Sequence, residues 1–169
     1  MPKIIENVRE LLMSEAKRQI ATNGYKNTTI RSVASGCGIA AGTVYNYFKS
    51  KDILIASFIL EDWLETVNSI SVYPKESRRD YLEYIYNSLK TFGKSYNVLF
   101  SDADARAVFD LAFSERHRQL RSQLAELILP ICRGDDIFLA EFVSEALLTW
   151  TMAGKSFEAI YTLLPEQIK

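Results

Sequence analysis

Histidine and cysteine are scarce in this chain, and each scarcity closes off a chemistry. The 169 residues contain one histidine and two cysteines. His117 stands among Arg116, Arg118 and Arg121, so it reads as a surface residue, and neither a Ser-His-Asp arrangement nor a histidine metal site has the residues it needs. Cys37 and Cys132 lack CxxC spacing, which argues against zinc and fits reduced thiols in the cytoplasm; Cys37 reads as a small buried side chain rather than a redox sensor. There is no phosphate-binding glycine loop. No apolar run approaches the length of a membrane span, and Met-Pro-Lys followed by an amphipathic segment is no signal peptide. An enzyme, a resident cofactor or metal, and a membrane partner are therefore not expected.

Hydrophobic residues make up 48% of the sequence, enough to bury a core, and no segment has the composition of a disordered tail. The formal net charge is only -1, but it is unevenly placed. Residues 1–60 carry eight Lys or Arg against four Asp or Glu, which leaves a balance of -5 for the remainder. A basic N-terminal segment on an otherwise acidic chain is the electrostatic footprint of a surface that faces phosphates.

That segment holds two short helical patterns joined by glycines. Ile30, Val33 and Ala34 fall at i, i+3 and i+4 and give the first an apolar face, with Thr29, or else Thr28, as its N-cap. Gly36 and Gly38 are expected to supply positive φ at the reversal. Ile39, Val44 and Phe48 carry the apolar side of the second, while Thr43, Tyr45, Asn46, Tyr47, Lys49 and Lys51 add hydroxyl, amide and ammonium groups beside it. This is the layout of a helix-turn-helix whose second helix faces a nucleic acid. Upstream, Ile4, Ile5, Val8, Leu11, Leu12, Ala16 and Ile20 mark one face of a first helix that Asn23-Gly24 is expected to end.

With Ala16, Ile20, Gly24, Tyr25, Thr28, Thr29, Val33, Ala34, Gly38, Ile39, Gly42, Thr43, Tyr45, Tyr47, Phe48, Lys51 and Leu54 in register, the first third of the chain resembles the tetracycline-repressor (TetR) family of bacterial transcription regulators. The resemblance implies an all-α homodimer. A three-helix DNA-binding domain, here residues 1–50, is followed by a helical bundle, here residues 51–169, that binds an unknown small-molecule effector and forms the dimer. It also implies contact with double-stranded DNA at a palindromic operator through Thr29, Arg31, Ala41, Gly42, Thr43, Tyr45, Asn46, Tyr47 and Lys51. Tyr47 and Lys51 are the expected phosphate partners, Asn46, Ala41 and Arg31 are nearest base edges, and Tyr45 either packs within the domain or touches DNA. Ala40 departs from the serine common in the family, so the third helix is expected to lack a side-chain cap. That departure, with Ala41, keeps open a second reading, a helical protein-interaction module that has lost sequence-specific DNA binding.

Beyond residue 50 the helices are read from periodicity and caps. Ser50 caps a long helix carrying Leu60, Trp63, Leu64, Val67 and Ile70, and Ser77 with Asp80 opens another with Leu82, Ile85, Leu89, Phe92 and Tyr96. Ser101 with Asp104 is expected to open a sixth, a break near Ser114 is left open, and Leu120, Leu124, Leu127, Ile128 and Ile131 lead to a stop at Arg133-Gly134. From Asp136 one helix is expected to run through Ile160, with Glu141, Glu145, Lys155 and Glu158 in one narrow sector. Apolar residues cover most of its remaining circumference, so Phe142, Leu147, Trp150, Ala153, Gly154 and Phe157 form the candidate dimer face. Trp63, Tyr96, Phe109 and Phe113 are candidate walls of an effector cavity. The expected regulator is a repressor, released when its ligand favours an arrangement in which two recognition helices no longer match successive major grooves.

Overall fold

The computed structural model describes residues 7–169, apart from the side chains of residue 100 and residues 106–116. Every element among them is helical: α1 (Val8–Asn27), α2 (Ile30–Gly36), α3 (Ala41–Tyr47), α4 (Lys51–Ser71), α5 (Arg78–Ser95), α6 (Asn97–Ser101), α7 (Ala103–Ile128), a 3₁₀ turn (Leu129–Ile131), α8 (Ile137–Met152) and α9 (Phe157–Leu163). They form two compact units, Met1–Asp62 with Tyr96–Asp110, and Trp63–Ser95 with Leu111–Lys169. The first unit extends beyond the 1–50 segment marked in the sequence, taking in the N-terminal half of α4 and a return segment around α6.

In the first unit α1 buries Leu12, Met13, Ala16, Gln19 and Ile20. Leu11, expected on that face, is 38% exposed, whereas the polar Gln19 is 5% exposed. Gly24, at φ 77°, breaks α1 at the expected place, and a further turn to Asn27 carries the buried Tyr25. Helix α2 turns Ile30, Val33 and Ala34 inward, and α3 buries Val44, with Phe48 directly after it. Between them Gly38 takes the positive φ of the reversal, at 67°. Gly36 does not, contrary to expectation: it is helical, and its reason is steric. A Cβ there would fall on the carboxylate of Glu15 in α1. The glycine leaves room for that carboxylate.

In the second unit α5 buries Leu82, Ile85, Leu89 and Phe92 as their spacing predicts, and α8 packs along it while burying Leu139, Val143, Leu147 and Leu148. The hydroxyls of Ser50 and Ser77 accept from the amides of Ile53 and Asp80, each at 3.2 Å, and so cap α4 and α5. Leu60 and Leu64 are about half exposed, which leaves Trp63 and Ile70 as the fully buried members of that expected stripe.

Three helix ends differ from the sequence reading. Asp102, rather than Ser101, caps α7, accepting from the Ala105 amide at 2.9 Å, while the Ser101 hydroxyl turns back to the Asn97 carbonyl at 2.7 Å. Helix α7 runs unbroken past Ser114 and stops at Ile128, well before Arg133-Gly134, because Pro130 lacks the amide that a continuing helix needs. Helix α8 ends at Met152 instead of reaching Ile160. Gly154 takes φ 78° just beyond it, and Ser156 starts α9 by accepting from the Ala159 amide at 3.3 Å.

Candidate nucleic-acid interface

The first unit fixes α2 against α1 with side-chain hydrogen bonds, centred on the buried Gln19, as well as by apolar contact. Thr29 and Ser32 form a capping box: the Ser32 amide donates to Thr29 Oγ1 at 3.0 Å and the Thr29 amide to Ser32 Oγ at 2.9 Å. The Thr28 hydroxyl donates instead to the Gly24 carbonyl at 2.9 Å, so Thr29 is the cap. Gln19 reaches across from α1. Its Oε1 accepts from the Ser32 hydroxyl at 2.6 Å, and its Nε2 donates to the Ser32 carbonyl at 3.0 Å and to Glu15 at 2.7 Å. Arg18 grips the same carboxylate through two N–H groups, at 2.8 and 2.7 Å. These bonds, from Arg18 first and Gln19 next, hold the Glu15 carboxyl at about 2, below its ordinary 4.5. The result is a brace that starts on α1 and ends in the first turn of α2.

Helix α3 has no side-chain cap at Ala40, as expected. The Arg9 guanidinium lies 5.6 Å from the centre of the buried Phe48 ring. On the outward side Tyr45 and Tyr47 are 49% and 47% exposed, Gly42 and Asn46 are exposed, and Ala41 and Thr43 are half-buried. Tyr45 is thus available to a partner. Thr29 and Arg31 are exposed at the start of α2. All nine candidate DNA residues therefore fall in one compact unit.

Lys51 is not the free cation that its sequence context implies. Its ammonium donates to the Tyr25 carbonyl at 2.9 Å and lies 3.5 Å from the centre of the Tyr25 ring, whose hydroxyl donates to Asp52 at 2.7 Å. Burial lowers the Lys51 pKa, against an opposing pull from Asp52, Asp102 and Asp104. Burial, followed by Asp52, raises that of Tyr25. What Lys51 can offer a phosphate is its remaining N–H groups, held in place by the tyrosine.

The candidate effector residues are dispersed. Trp63, in the second unit, is 1% exposed, meets Phe92 edge-on at 5.4 Å and donates its indole N–H to Gln123 Oε1 at 2.7 Å. Tyr96 belongs to the first unit, where it stacks on Phe58 and hydrogen-bonds Asp62. Phe109 and Phe113 lie outside the described residues. Among the described residues no group of His, Cys, Asp and Glu could hold a metal ion, and no helix is long and apolar enough to cross a membrane.

The candidate dimer face also divides. Leu147 and Phe157 are buried within their own unit, Phe142 and Trp150 are each 49% exposed, and Ala153 and Gly154 lie in the turn between α8 and α9 rather than on a helix face. Phe138, 76% exposed and one turn before Phe142, extends the outward apolar side of α8. Sequence reasoning missed it, although the i, i+4 spacing of two phenylalanines was the signal. Glu145 accepts from Thr149 at 2.6 Å and lies 3.1 Å from His117 Nε2, so His117 has an acidic neighbour. The Thr149 bond leads the causes that lower the Glu145 pKa.

Residues 12–58 match the family model of bacterial regulatory proteins, tetR family. The chain is 21% identical to the fatty acid metabolism regulator protein of Bacillus subtilis over 173 aligned positions, covering 88% of this chain and 86% of that protein. It is 36% identical over 58 residues to the HTH-type transcriptional repressor KstR2 of Mycolicibacterium smegmatis, covering 33% of this chain and 28% of that one. Among solved structures, the fatty acid degradation regulator FadR from Bacillus halodurans matches with a TM-score of 0.62 at 20% identity, over 92% of this chain and 93% of that chain. A TetR-like transcriptional regulator from Rhodococcus sp. RHA1 matches with a TM-score of 0.55 at 24% identity, over 98% and 96%. These names are those of regulators, and none is that of an enzyme.

Proposed function

We propose that this chain, which belongs to the tetR family of bacterial regulatory proteins and is a DNA-binding transcription regulator, represses transcription as a cytoplasmic homodimer and leaves a palindromic operator when a small molecule binds. The observation that carries the DNA half is α3, which presents Tyr45, Asn46 and Tyr47 on a helix whose neighbour is braced to α1 through Gln19 and Ser32. The Tyr47 hydroxyl, Thr29, Thr43 and the remaining N–H groups of Lys51 meet phosphates, while Asn46, Ala41 and Arg31 approach base edges. The dimer half is supported by Phe138, Phe142 and Trp150, whose apolar surface a second copy would cover with the same residues across a twofold axis. Two relatives matched over most of their length are named for fatty-acid metabolism, so acyl amphiphiles are the first effectors to try. Trp63, Phe109 and Phe113 are the first residues to vary in seeking the effector site.

The test is binding of the full chain to fragments of its own upstream region across a salt series. A sequence-selective palindromic site is expected, with Lys51→Ala lowering the salt slope by about one unit for each phosphate left without its ammonium partner. Absence of a selective site on every fragment, or an unchanged slope for the variant, favours the interaction-module reading.

A further inference from the structure

Along the outward side of α8, Phe138, Phe142, Glu145, Thr149 and Met152 recur at intervals of four, three, four and three, the spacing of a seam that packs on another helix. Phe138, Phe142 and Met152 are exposed, while Leu139, Val143 and Leu147 turn to the buried side of their own unit. The middle of this run is a carboxylate, seven residues from each end. His117 Nε2 faces both oxygens of Glu145, at 3.2 and 3.1 Å, and the Thr149 hydroxyl donates to it at 2.6 Å. Arg121 Nη1 stands 4.0 Å away, too far for a hydrogen bond. The Nε of the same arginine is buried and has no acceptor among the described residues. A guanidinium short of partners thus sits beside a partly exposed carboxylate, at the centre of an otherwise largely apolar seam.

A second copy that covers this seam along its whole length, whether parallel or antiparallel, sets the middle against the middle. The two Glu145 carboxylates then meet, and by charge alone they repel. Arg121 of each subunit supplies the opposite charge, and a second carboxylate is what its unfilled N–H groups lack. We propose that Glu145 sets register and partner in the homodimer: the two carboxylates lie together at the twofold axis, held by Arg121 and His117 of both subunits. This rests on the homodimer proposed above and adds what makes its seam recognise a copy of itself. A slip of one turn sets Glu145 against Phe142 or Thr149 of the partner subunit and buries it without the second arginine. A foreign helix with an apolar residue at that place leaves Arg121 incomplete. A polar group inside an apolar seam selects one pairing in this way, at some cost in stability.

The test is sedimentation of the full chain and of Arg121→Gln, Glu145→Gln and the two combined, with helix content checked for each. Arg121→Gln should weaken self-association by about tenfold, since it leaves two carboxylates facing each other. Adding Glu145→Gln should restore most of the loss, because the repulsion goes with the charge. A second probe locates the axis. Glu145→Cys should couple two chains through a short bismaleimide far faster than wild type, whose Cys37 is half-buried and Cys132 buried. Self-association unchanged by Arg121→Gln overturns the proposal. A loss that Glu145→Gln fails to repair also overturns it, since the arginine would then act by packing. So does coupling of Glu145→Cys no faster than wild type in a chain that still sediments as a dimer, which places the axis elsewhere. Should Arg121→Gln fail to fold, the cysteine variant alone decides. A wild-type chain that sediments as a monomer at micromolar concentration would instead overturn the homodimer reading itself.

Discussion

Where α2 meets α1, a polar link joins the apolar contact: Gln19 of α1 bonds Ser32 of α2 and its own neighbour Glu15, at 2.6 to 3.0 Å. Where α8 meets α5, the buried groups are mostly aliphatic, with Leu82, Ile85 and Leu89 on one helix and Val143, Leu147 and Leu148 on the other. The difference follows from length and task. Helices α2 and α3 have seven residues each, too few to be stable alone and too few to define a rotation by apolar contact, which has no direction. Hydrogen bonds have direction, and on the proposed reading a side chain that approaches a base edge depends on the rotation of its helix. Helices of sixteen and eighteen residues need no such brace, and α8 can leave one side apolar for a second copy.

The largest effect should come from charging that open side. Replacing Phe142 and Trp150 together with glutamate would bury unpaired charge at the proposed twofold interface and weaken self-association on the order of a hundredfold, about 3 kcal/mol. A double variant that still sediments as a dimer at micromolar concentration would remove α8 from the interface and leave the second unit without the openness ascribed to it. A smaller effect is expected from Gln19→Leu, which keeps the bulk of the side chain but strips partners from Ser32 and Glu15. It should cost about 1 to 3 kcal/mol and lower operator selectivity along with the melting temperature. Normal selectivity in the folded fraction would mean that apolar contact alone orients α2. The smallest effect is one of pH. The folded Glu15 carboxyl sits near 2 against an ordinary 4.5, so its contribution is complete above 4.5 and is lost as the pH falls toward 2. The melting-temperature gap between wild type and Glu15→Gln should therefore narrow across that window. A gap that stays constant would show that the Arg18–Glu15 pair adds nothing to the brace.

The legible parts of the sequence were those where one residue type can do only one thing locally. Gly38 at the reversal, Thr29 before an apolar triad, and Asp136 at the start of a largely apolar helix announced their turns and caps, and the structure has them there. Gln19 escaped because a polar side chain on a helix reads as solvent-facing, and its partner Ser32 lies on another element. The stop after Met152 was hidden for a different reason. The Gly154 and Ser156 signals were present, but Phe157 and Ile160 continue the period of α8, so the apolar pattern outweighed the punctuation. Among the candidate DNA residues, nothing in the sequence signalled that Lys51 would rest on Tyr25, since ring and ammonium are brought together by tertiary packing.

The unit that carries α3 is discontinuous in the chain. It runs to Asp62, leaves, and returns at Tyr96, with α6 lying on α1 and Tyr96 and Leu99 almost wholly covered, at 3% and 1% exposure. Asp62 joins the two crossing points by accepting from the Tyr96 hydroxyl, and it pairs with Lys17 of α1 as well. A gene fragment that ends between α4 and α5 would therefore encode a DNA reader with its back uncovered. To make this reader portable, an engineer would rewire the chain so that a short link carries it from Asp62 directly to Tyr96, restoring α6 to the surface it covers.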